Sequence, residues 1–329
     1  MKKVIMTKLL ILVLIASMML TACSSSGGKA SASSDKDYKI GIVQLAEHPA
    51  LDDARMGFED GLKELGVDAE IIYQNAQGDV PSTVTMSQKL VDDGVDLIYA
   101  IATPAAQSAK QVAKDIPVLF SAVTDPVEAE IVADWVDVGG NVTGTSDKAP
   151  TLEQLKMFKE LDPTIETIGI IYNTSEANSQ IQVDEVMELA PEVGLEVKTV
   201  GVNNINDMAQ AIDSLLSKVD ALYALSDNLV ASSVDLVANK LIQYNMISIC
   251  AEESQVGGGL LITNGLSYYE LGKQTAQMAK EILVDGKSPA DIPVGLAEKT
   301  VITVNEKTMK ALGLDENHPL LKDAVKVGK

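Results

Sequence analysis

The sequence has few of the residues that usually bind anions or metals. Its 329 residues include one arginine, Arg55, two histidines and two cysteines. Bidentate clamps for phosphate, sulfate or dicarboxylate ligands are built from arginine, so such ligands are disfavoured. His48 and His318 have no partner at the spacing of a metal site, so we expect neither a metal nor a cofactor.

Large aromatic side chains and positive charge are also scarce. The chain has one tryptophan and three phenylalanines, and its formal net charge is −21. Such an acidic protein repels nucleic acid and anionic lipid, so we expect neither as a partner. Sugar sites usually bracket the ring with aromatic side chains. Trp135 lies in a helical segment and the phenylalanines lie at core positions, so a sugar is disfavoured.

The usual signatures of catalysis are missing from the sequence. No G-x-S-x-G turn follows a predicted strand, and the triplet at 257–259 precedes a strand, unlike a dinucleotide-binding loop. An extracellular hydrolase would need a nucleophile and a base that we do not find. We therefore predict that the protein is not an enzyme.

The N-terminal segment has the pattern of an exported bacterial lipoprotein. Three lysines precede an apolar run from Leu9 to Leu20, which is too short to span a membrane comfortably. The following LTAC resembles a lipobox, whose cysteine becomes the first mature residue and carries lipid. We expect a signal peptide over 1–22, a lipid on Cys23 and a flexible tether over 23–37. The alternative is a secretory peptide that happens to end at a cysteine.

From Tyr38 onward, the pattern predicts an α/β protein with two similar lobes. Short β-branched runs alternate with segments of helical periodicity, which is typical of parallel sheets covered on both faces. The series breaks near Gly144 to Pro150, restarts, and meets a second polar stretch at Glu252 to Gly259. The chain is therefore expected to cross between the lobes more than once, which makes a hinge.

Polar side chains follow most of the predicted strands. Ligands of open α/β sheets bind beyond the carboxyl ends of the strands, so these side chains are candidates for one cleft. The candidates are Gln44, Glu47, His48, Thr103, Thr124, Asp125, Asn173, Ser175, Asn178, Ser179, Asp227 and Asn228. Each alone could be a helix cap. The acids recur in both halves, and a carboxylate such as Asp125 or Asp227 would hold a ligand's ammonium group.

Several strand-end blocks together resemble one known family. EHPALDDARMGFEDGL, IATPAAQSA, FSAVTDPVEA, NVTGTSD, IIYNTSEANS and ALSDNLV look like the tryptophan/tyrosine-type ABC transporter substrate-binding lipoproteins, of type I periplasmic-binding-protein architecture. The resemblance implies two Rossmann-like lobes joined by three crossovers. We expect lobe 1 to comprise 38–147 plus 253–293, and lobe 2 to comprise 148–252 plus 294–329.

The resemblance also implies a function and its partners. It implies an extracytoplasmic receptor, anchored by lipid to the bacterial membrane, that closes on an amino acid and delivers it to an ABC permease and its ATPase. An aromatic amino acid is expected, although large rings are scarce near the strand ends. The alternatives are a receptor for another small amine or a sugar, and a lipoprotein that signals to a membrane sensor. Whether Glu252 or Glu253 reaches the cleft is left open.

Overall fold

The structure is a computed structural model that describes residues 37–328. The expected signal peptide, the lipid-bearing Cys23 and nearly all of the expected tether lie outside the described residues. Within 37–328, no helix combines the length and the apolar composition that crossing a membrane requires.

The first lobe is built on a parallel sheet of five strands. The strands are β1 (Tyr38–Gln44), β2 (Ala69–Asn75), β3 (Leu97–Ile101), β4 (Val118–Val123) and β5 (Val142–Ser146), in the order β2-β1-β3-β4-β5. The connecting helices are α1 (Pro49–Glu64), α2 (Val80–Asp92) and α3 (Thr103–Val112). β1, β3 and β4 are almost wholly buried, as their β-branched and apolar runs predict for strands covered on both faces.

The second lobe repeats this plan with a larger sheet. Its first strands are β6 (Thr167–Asn173), β7 (Glu196–Val202), β8 (Ala221–Ala224), β9 (Ile247–Cys250) and β10 (Ile262–Gly265). Its helices in the same span are α4 (Thr151–Leu161), α5 (Ala177–Leu189), α6 (Ile205–Leu216), α7 (Asn228–Ser232), α8 (Val234–Gln243) and α9 (Glu253–Gly257). Two apolar clusters, one on each face of the sheet, form the core of this lobe.

The last part of the chain visits both lobes. The long helix α10 (Tyr268–Leu283) packs in lobe 1, whereas β11 (Val301–Asn305), α11 (Glu306–Ala311), α12 (Pro319–Lys322) and β12 (Val325–Val327) belong to lobe 2. The second sheet has the order β12-β11-β10-β9-β8-β6-β7, with β11 antiparallel to β10. The chain therefore crosses between the lobes three times, near 147–150, 266–267 and 296–300.

One expected boundary is wrong. We expected the chain to return to lobe 1 after Glu252, but β10 pairs with both β9 and β11, so 253–265 belongs to lobe 2. The polar stretch after Cys250 is a βα connection inside the second lobe and contains the short helix α9. Polar residues mark the end of a strand whether or not the chain then changes lobe.

Glycines allow α1 and α10 to lie against each other with their backbones almost in contact. A Cβ atom on Gly57 would lie 2.0 Å from the carbonyl oxygen of Tyr269, and one on Gly272 would lie 2.1 Å from that of Ala54. No larger residue fits such an approach without moving a helix. The contact brings the start of α1 and the start of α10 to the same end of lobe 1, where both face lobe 2.

Candidate ligand-binding cleft

A direct hydrogen bond across the cleft joins the two lobes. Nε2 of His48, the residue before α1, lies 3.1 Å from Oδ1 of Asn228, the first residue of α7. Both helices begin after a strand end of their own sheet, so the contact joins the two faces at which α/β proteins bind ligands. The lobes are therefore in a closed arrangement.

A small pocket lies between the lobes beneath this contact. Its volume is about 10 Å³, about the least that holds one water molecule or one ammonium-sized group, so only a small part of a ligand fits inside it. We call it the cleft pocket. It is lined by His48, Ala50, Leu51, Ala122, Asp147, Asn178, Ser226, Asp227, Asn228, Ala231, Glu252, Gln255 and Tyr268.

Polar atoms without partners are concentrated in the cleft pocket. Five of its lining residues carry a buried nitrogen or oxygen that makes no hydrogen bond within the described residues. These atoms are His48 Nδ1, Asp147 Oδ1, Asn178 Oδ1, Ser226 Oγ and Gln255 Oε1. Buried polar atoms in folded proteins are nearly always paired, because an unpaired one costs about 1–3 kcal/mol. Such a concentration is the mark of a polar binding site.

The polar wall of lobe 2 is a network built around two buried acids. Asp227 Oδ1 accepts from Val230 N at 2.9 Å, and its Oδ2 accepts from Asn173 N at 2.6 Å and Ser179 Oγ at 2.7 Å. Glu176 accepts from Asn173 Nδ2 at 2.7 Å and from the side-chain amide of Asn228.

The environment of these two acids changes their ionisation. Burial, followed by the charge of Asp227, raises the pKa of Glu176 to about 7. Burial also raises the pKa of Asp227. The network thus fixes the side-chain rotamers of this wall without a ligand. It also keeps two acids away from water, which is why their pKa values are raised.

The same network sets the proton position on His48. The amide nitrogen of Asn228 donates to Glu176, so its oxygen faces His48 and accepts a hydrogen bond from Nε2–H. Burial lowers the pKa of His48, which favours the neutral ring. Nδ1 is then an unprotonated acceptor that faces the cleft pocket.

Lobe 1 contributes backbone donors to the site. No side chain caps the start of α1 in the described structure, and its first-turn residues Ala50 and Leu51 line the cleft pocket. The first N–H groups of a helix have no intrahelical partner, and the helix dipole makes this end attractive to a carboxylate. α1 has 16 residues, so the effect applies in full.

Four of the twelve expected site residues line the cleft pocket: His48, Asn178, Asp227 and Asn228. Glu47 and Asn173 line another groove, which shares Asn228 with the cleft pocket. Ser179 lies behind the wall, where it donates to Asp227. Ser175 is exposed, and its N–H donates to Asn173 Oδ1 at 3.0 Å.

The remaining four expected residues have structural contacts in lobe 1. Gln44 donates to Asp52 and to the Ala46 carbonyl, and Thr103 is buried in the first turn of α3. Asp125 caps a turn through Val127 N and Glu128 N at 3.1 Å and pairs with Lys148. Burial raises the pKa of Asp147, and the hydroxyl of buried Thr124 is among the groups that oppose this rise.

Several lining residues were not expected from the sequence. Asp147 follows β5 at the first crossover, Gln255 lies in α9, and Tyr268 is the first residue of α10. Ser226 directly precedes Asp227 at the end of the β8 segment, so position alone could have identified it. Glu252, which was left open, lines the cleft pocket, and burial raises its pKa to about 7. Glu253 lines an outer groove instead.

Comparison with known proteins identifies the family. Residues 39–328 match the profile of the family described as ABC transporter substrate binding protein. The tyrosine-binding protein of Clostridioides difficile is 42% identical over 288 residues, which are 86% of this chain and 83% of that protein. This chain belongs to the ABC transporter substrate-binding protein family.

Family membership confirms several expectations. Members are solute-binding proteins rather than enzymes, and they act outside the cytoplasm as parts of ABC transporters. The two α/β lobes match solved type I periplasmic-binding-protein structures, as the strand-end blocks implied.

Two solved relatives differ in a way that bears on the cleft. The ABC domain from Streptococcus pneumoniae in complex with L-Trp is 37% identical, with a TM-score of 0.84 over 88% of this chain and 99% of that one. A ligand-free, open substrate-binding protein with adhesive properties from Clostridium difficile is 42% identical, but its TM-score is 0.68 over 88% and 99%. The relative with the higher sequence identity has the lower TM-score, and it is the one solved in a ligand-free, open form.

Proposed function

We propose that this protein is a lipid-anchored extracytoplasmic receptor that closes its lobes on an aromatic amino acid and delivers it to an ABC importer. The observation that carries the proposal is the cleft pocket, where both lobes contribute buried polar atoms that lack partners. A ligand that pairs these atoms stabilises only the closed form, because in the open form the two walls are apart.

The arrangement of donors and acceptors suits an amino acid backbone. The start of α1 offers N–H groups at Ala50 and Leu51, which suit a carboxylate. The opposite wall offers acceptors at Asn178 and Gln255, which suit an ammonium group. Among the described residues, no lysine or arginine lines the pocket. This agrees with the expectation from the sequence that anionic ligands are disfavoured.

An aromatic side chain is proposed from the relatives and from the space next to the pocket. One relative is named for tyrosine binding and another was solved with L-Trp. In this chain the cleft pocket shares His48, Ala231 and Tyr268 with an outer groove that is also lined by Pro49 and Leu266. These rings and aliphatic groups provide the apolar contact that an aromatic side chain requires.

The anchor and the partners complete the proposal. The LTAC sequence supports processing at Cys23 and attachment of lipid there, followed by the tether. A closed receptor held near the membrane would present both lobes to a permease, which works with an ATPase.

The experiment is a melting series with candidate ligands. The purified protein is unfolded and refolded to remove carried ligand, and its melting temperature is recorded with the twenty amino acids, simple sugars and small amines. A ligand at 100-fold its dissociation constant adds about 2.7 kcal/mol, which raises Tm by about 4 °C in a protein of this size. A selective rise with L-tyrosine or L-tryptophan supports the proposal. A rise with a sugar alone would overturn the ligand assignment.

A further inference from the structure

The unpartnered atoms of the cleft pocket are nearly all forced to be acceptors. The amide nitrogen of Asn178 donates to the Ser226 carbonyl at 2.9 Å, and that of Gln255 donates to the Leu225 carbonyl at 2.8 Å. The orientation of each amide is therefore fixed, and each oxygen faces the pocket without a partner. His48 Nδ1 is a third acceptor, because Nε2 donates to Asn228.

Among the described residues that line the pocket, Asp147 is the one carboxylate with an oxygen that accepts no hydrogen bond. Both oxygens of Asp227 accept hydrogen bonds from its own lobe, and both oxygens of Glu252 accept from Ser254. Asp147 is 3% exposed, and its Oδ2 accepts from the hydroxyl of Tyr268, whereas its Oδ1 has no partner. A fixed set of acceptors around a free carboxylate oxygen, without a cationic side chain, calls for a cation with several N–H donors.

Asp147 also has a special place in the fold. It follows β5 on the first crossover between the lobes, and Tyr268 begins α10 directly after the second crossover. The hydrogen bond from the Tyr268 hydroxyl to Asp147 therefore joins the first crossover segment to the start of α10, where both residues line the cleft pocket. A group bound to Asp147 contacts the hinge itself as well as a wall.

We propose that Asp147 is the specificity-determining residue that binds the ligand's ammonium group through Oδ1, and that Tyr268 positions it from the second crossover. This inference rests on the proposed function and identifies the residue that pairs with the ligand's positive charge. The three N–H donors of an ammonium group pair with Asp147 and with two of the neighbouring acceptors. The sequence suggested Asp125 and Asp227 for this role, but their oxygens already accept hydrogen bonds. Asp125 accepts from two backbone N–H groups and from Lys148, and Asp227 accepts from the backbone N–H of Val230.

The test compares ligands that differ only at the charged groups. Calorimetric titration of the refolded protein is run with L-tyrosine, with 3-(4-hydroxyphenyl)propionate, which lacks the amine, and with tyramine, which lacks the carboxylate. The variants are Asp147→Asn, Tyr268→Phe and the control Asp137→Asn, which removes one exposed acid of lobe 1.

We expect Asp147→Asn to weaken L-tyrosine binding by about a hundredfold, because a buried charge loses its partner. Its affinity for the amine-free analogue should stay the same or rise, so the preference for the amine collapses. Tyr268→Phe should reduce the preference by about tenfold, since Asp147 keeps its charge but loses its orientation. Asp137→Asn should bind all three ligands like the natural protein.

Three results would overturn the inference. One is an Asp147→Asn protein that keeps the full preference for L-tyrosine, and another is one that is folded and loses both ligands equally. The third needs no variant: a natural protein that binds the amine-free analogue as tightly as L-tyrosine. If Asp147→Asn does not fold, Tyr268→Phe and the ligand comparison decide. Binding of tyramine without binding of any amino acid would refute the proposed function and leave the ammonium site standing.

Discussion

The two walls of the cleft are made in different ways. The lobe 2 wall is a network of amides and buried acids that hold one another, from Asn173 and Glu176 to Asp227. The lobe 1 wall includes the apolar Ala50, Leu51 and Ala122, and its polar contribution is His48, Tyr268 and backbone N–H groups, with Asp147 at the adjoining crossover. The lobe 2 wall is rigid because Asp227 and Glu176 are held by hydrogen bonds within their own lobe, whereas lobe 1 has no comparable network of buried acids at the pocket. Stability and binding should therefore respond differently to changes in each wall.

The largest effect on stability is expected at Asp227. Asp227→Asn replaces one accepting oxygen with an NH₂ group that must face the N–H of Val230 or that of Asn173. We expect the free energy of unfolding to fall by about 3 kcal/mol, measured by urea denaturation. The control is Asp220→Asn, because exposed Asp220 also accepts two backbone N–H groups, and it should cost less than about 1 kcal/mol. Equal losses in both variants would contradict a rigid, buried wall.

The buried acids also predict an unusual pH dependence of the ligand-free protein. Burial raises the pKa values of Glu176 and Glu252 to about 7, above the unfolded value of 4.5. A raised carboxyl pKa means that ionisation opposes folding, so stability is highest below the unfolded pKa and is lost as pH rises towards 7. The lowered pKa of His48 acts in the opposite direction, since its protonation below about pH 6.5 favours unfolding.

We expect the two acids to dominate that balance. The free energy of unfolding should rise by about 2 kcal/mol as pH falls from 8 to 5.5, and Glu176→Gln should remove much of the slope. Urea denaturation at four pH values between 5.5 and 8 measures the free energy of unfolding and its slope with pH. Glu160→Gln serves as the control for the loss of one glutamate in the same lobe. A slope that persists unchanged in Glu176→Gln would show that the lobe 2 network does not carry the buried charge.

The smallest expected effect belongs to the bridge between the walls. The hydrogen bond from His48 to Asn228 forms only when the lobes are closed. In a double-mutant cycle with His48→Ala and Asn228→Ala, we expect a coupling of about 1 kcal/mol in the binding of L-tyrosine. The same cycle on unfolding of the ligand-free protein should give a smaller coupling. A coupling of zero in binding would mean that the ligand-bound state lacks this bridge.

Much of the fold could be predicted from the sequence because the strands are long apolar runs. β2 and β6 have the bounds that the runs AEIIYQN and TIGIIYN indicate. β5 and β12 were not predicted as strands, since VTGTS is small and polar and VKV is only three residues long. The second crossover was misplaced because a polar strand end looks the same whether or not the chain changes lobe.

The site could be predicted only in part, for a related reason. His48 and Asn228 directly follow strand ends, and strand ends are where the sequence pattern points. Asp227 was expected to meet a ligand cation, but its oxygens cap a helix and bind Asn173, which no spacing reveals. Asp147 and Tyr268 are 121 positions apart and meet because two crossovers run side by side. Contacts inside the hinge depend on how α1 packs on α10, so no periodic pattern in the sequence reveals them.

The most direct test of closure on an amino acid is small-angle X-ray scattering of the ligand-free protein during titration with L-tyrosine. We expect the radius of gyration to fall and to saturate at one ligand per chain, because the ligand pairs polar atoms of both walls and shifts the lobes to the closed form. L-tyrosine that binds at one site per chain without any decrease in the radius of gyration would contradict it.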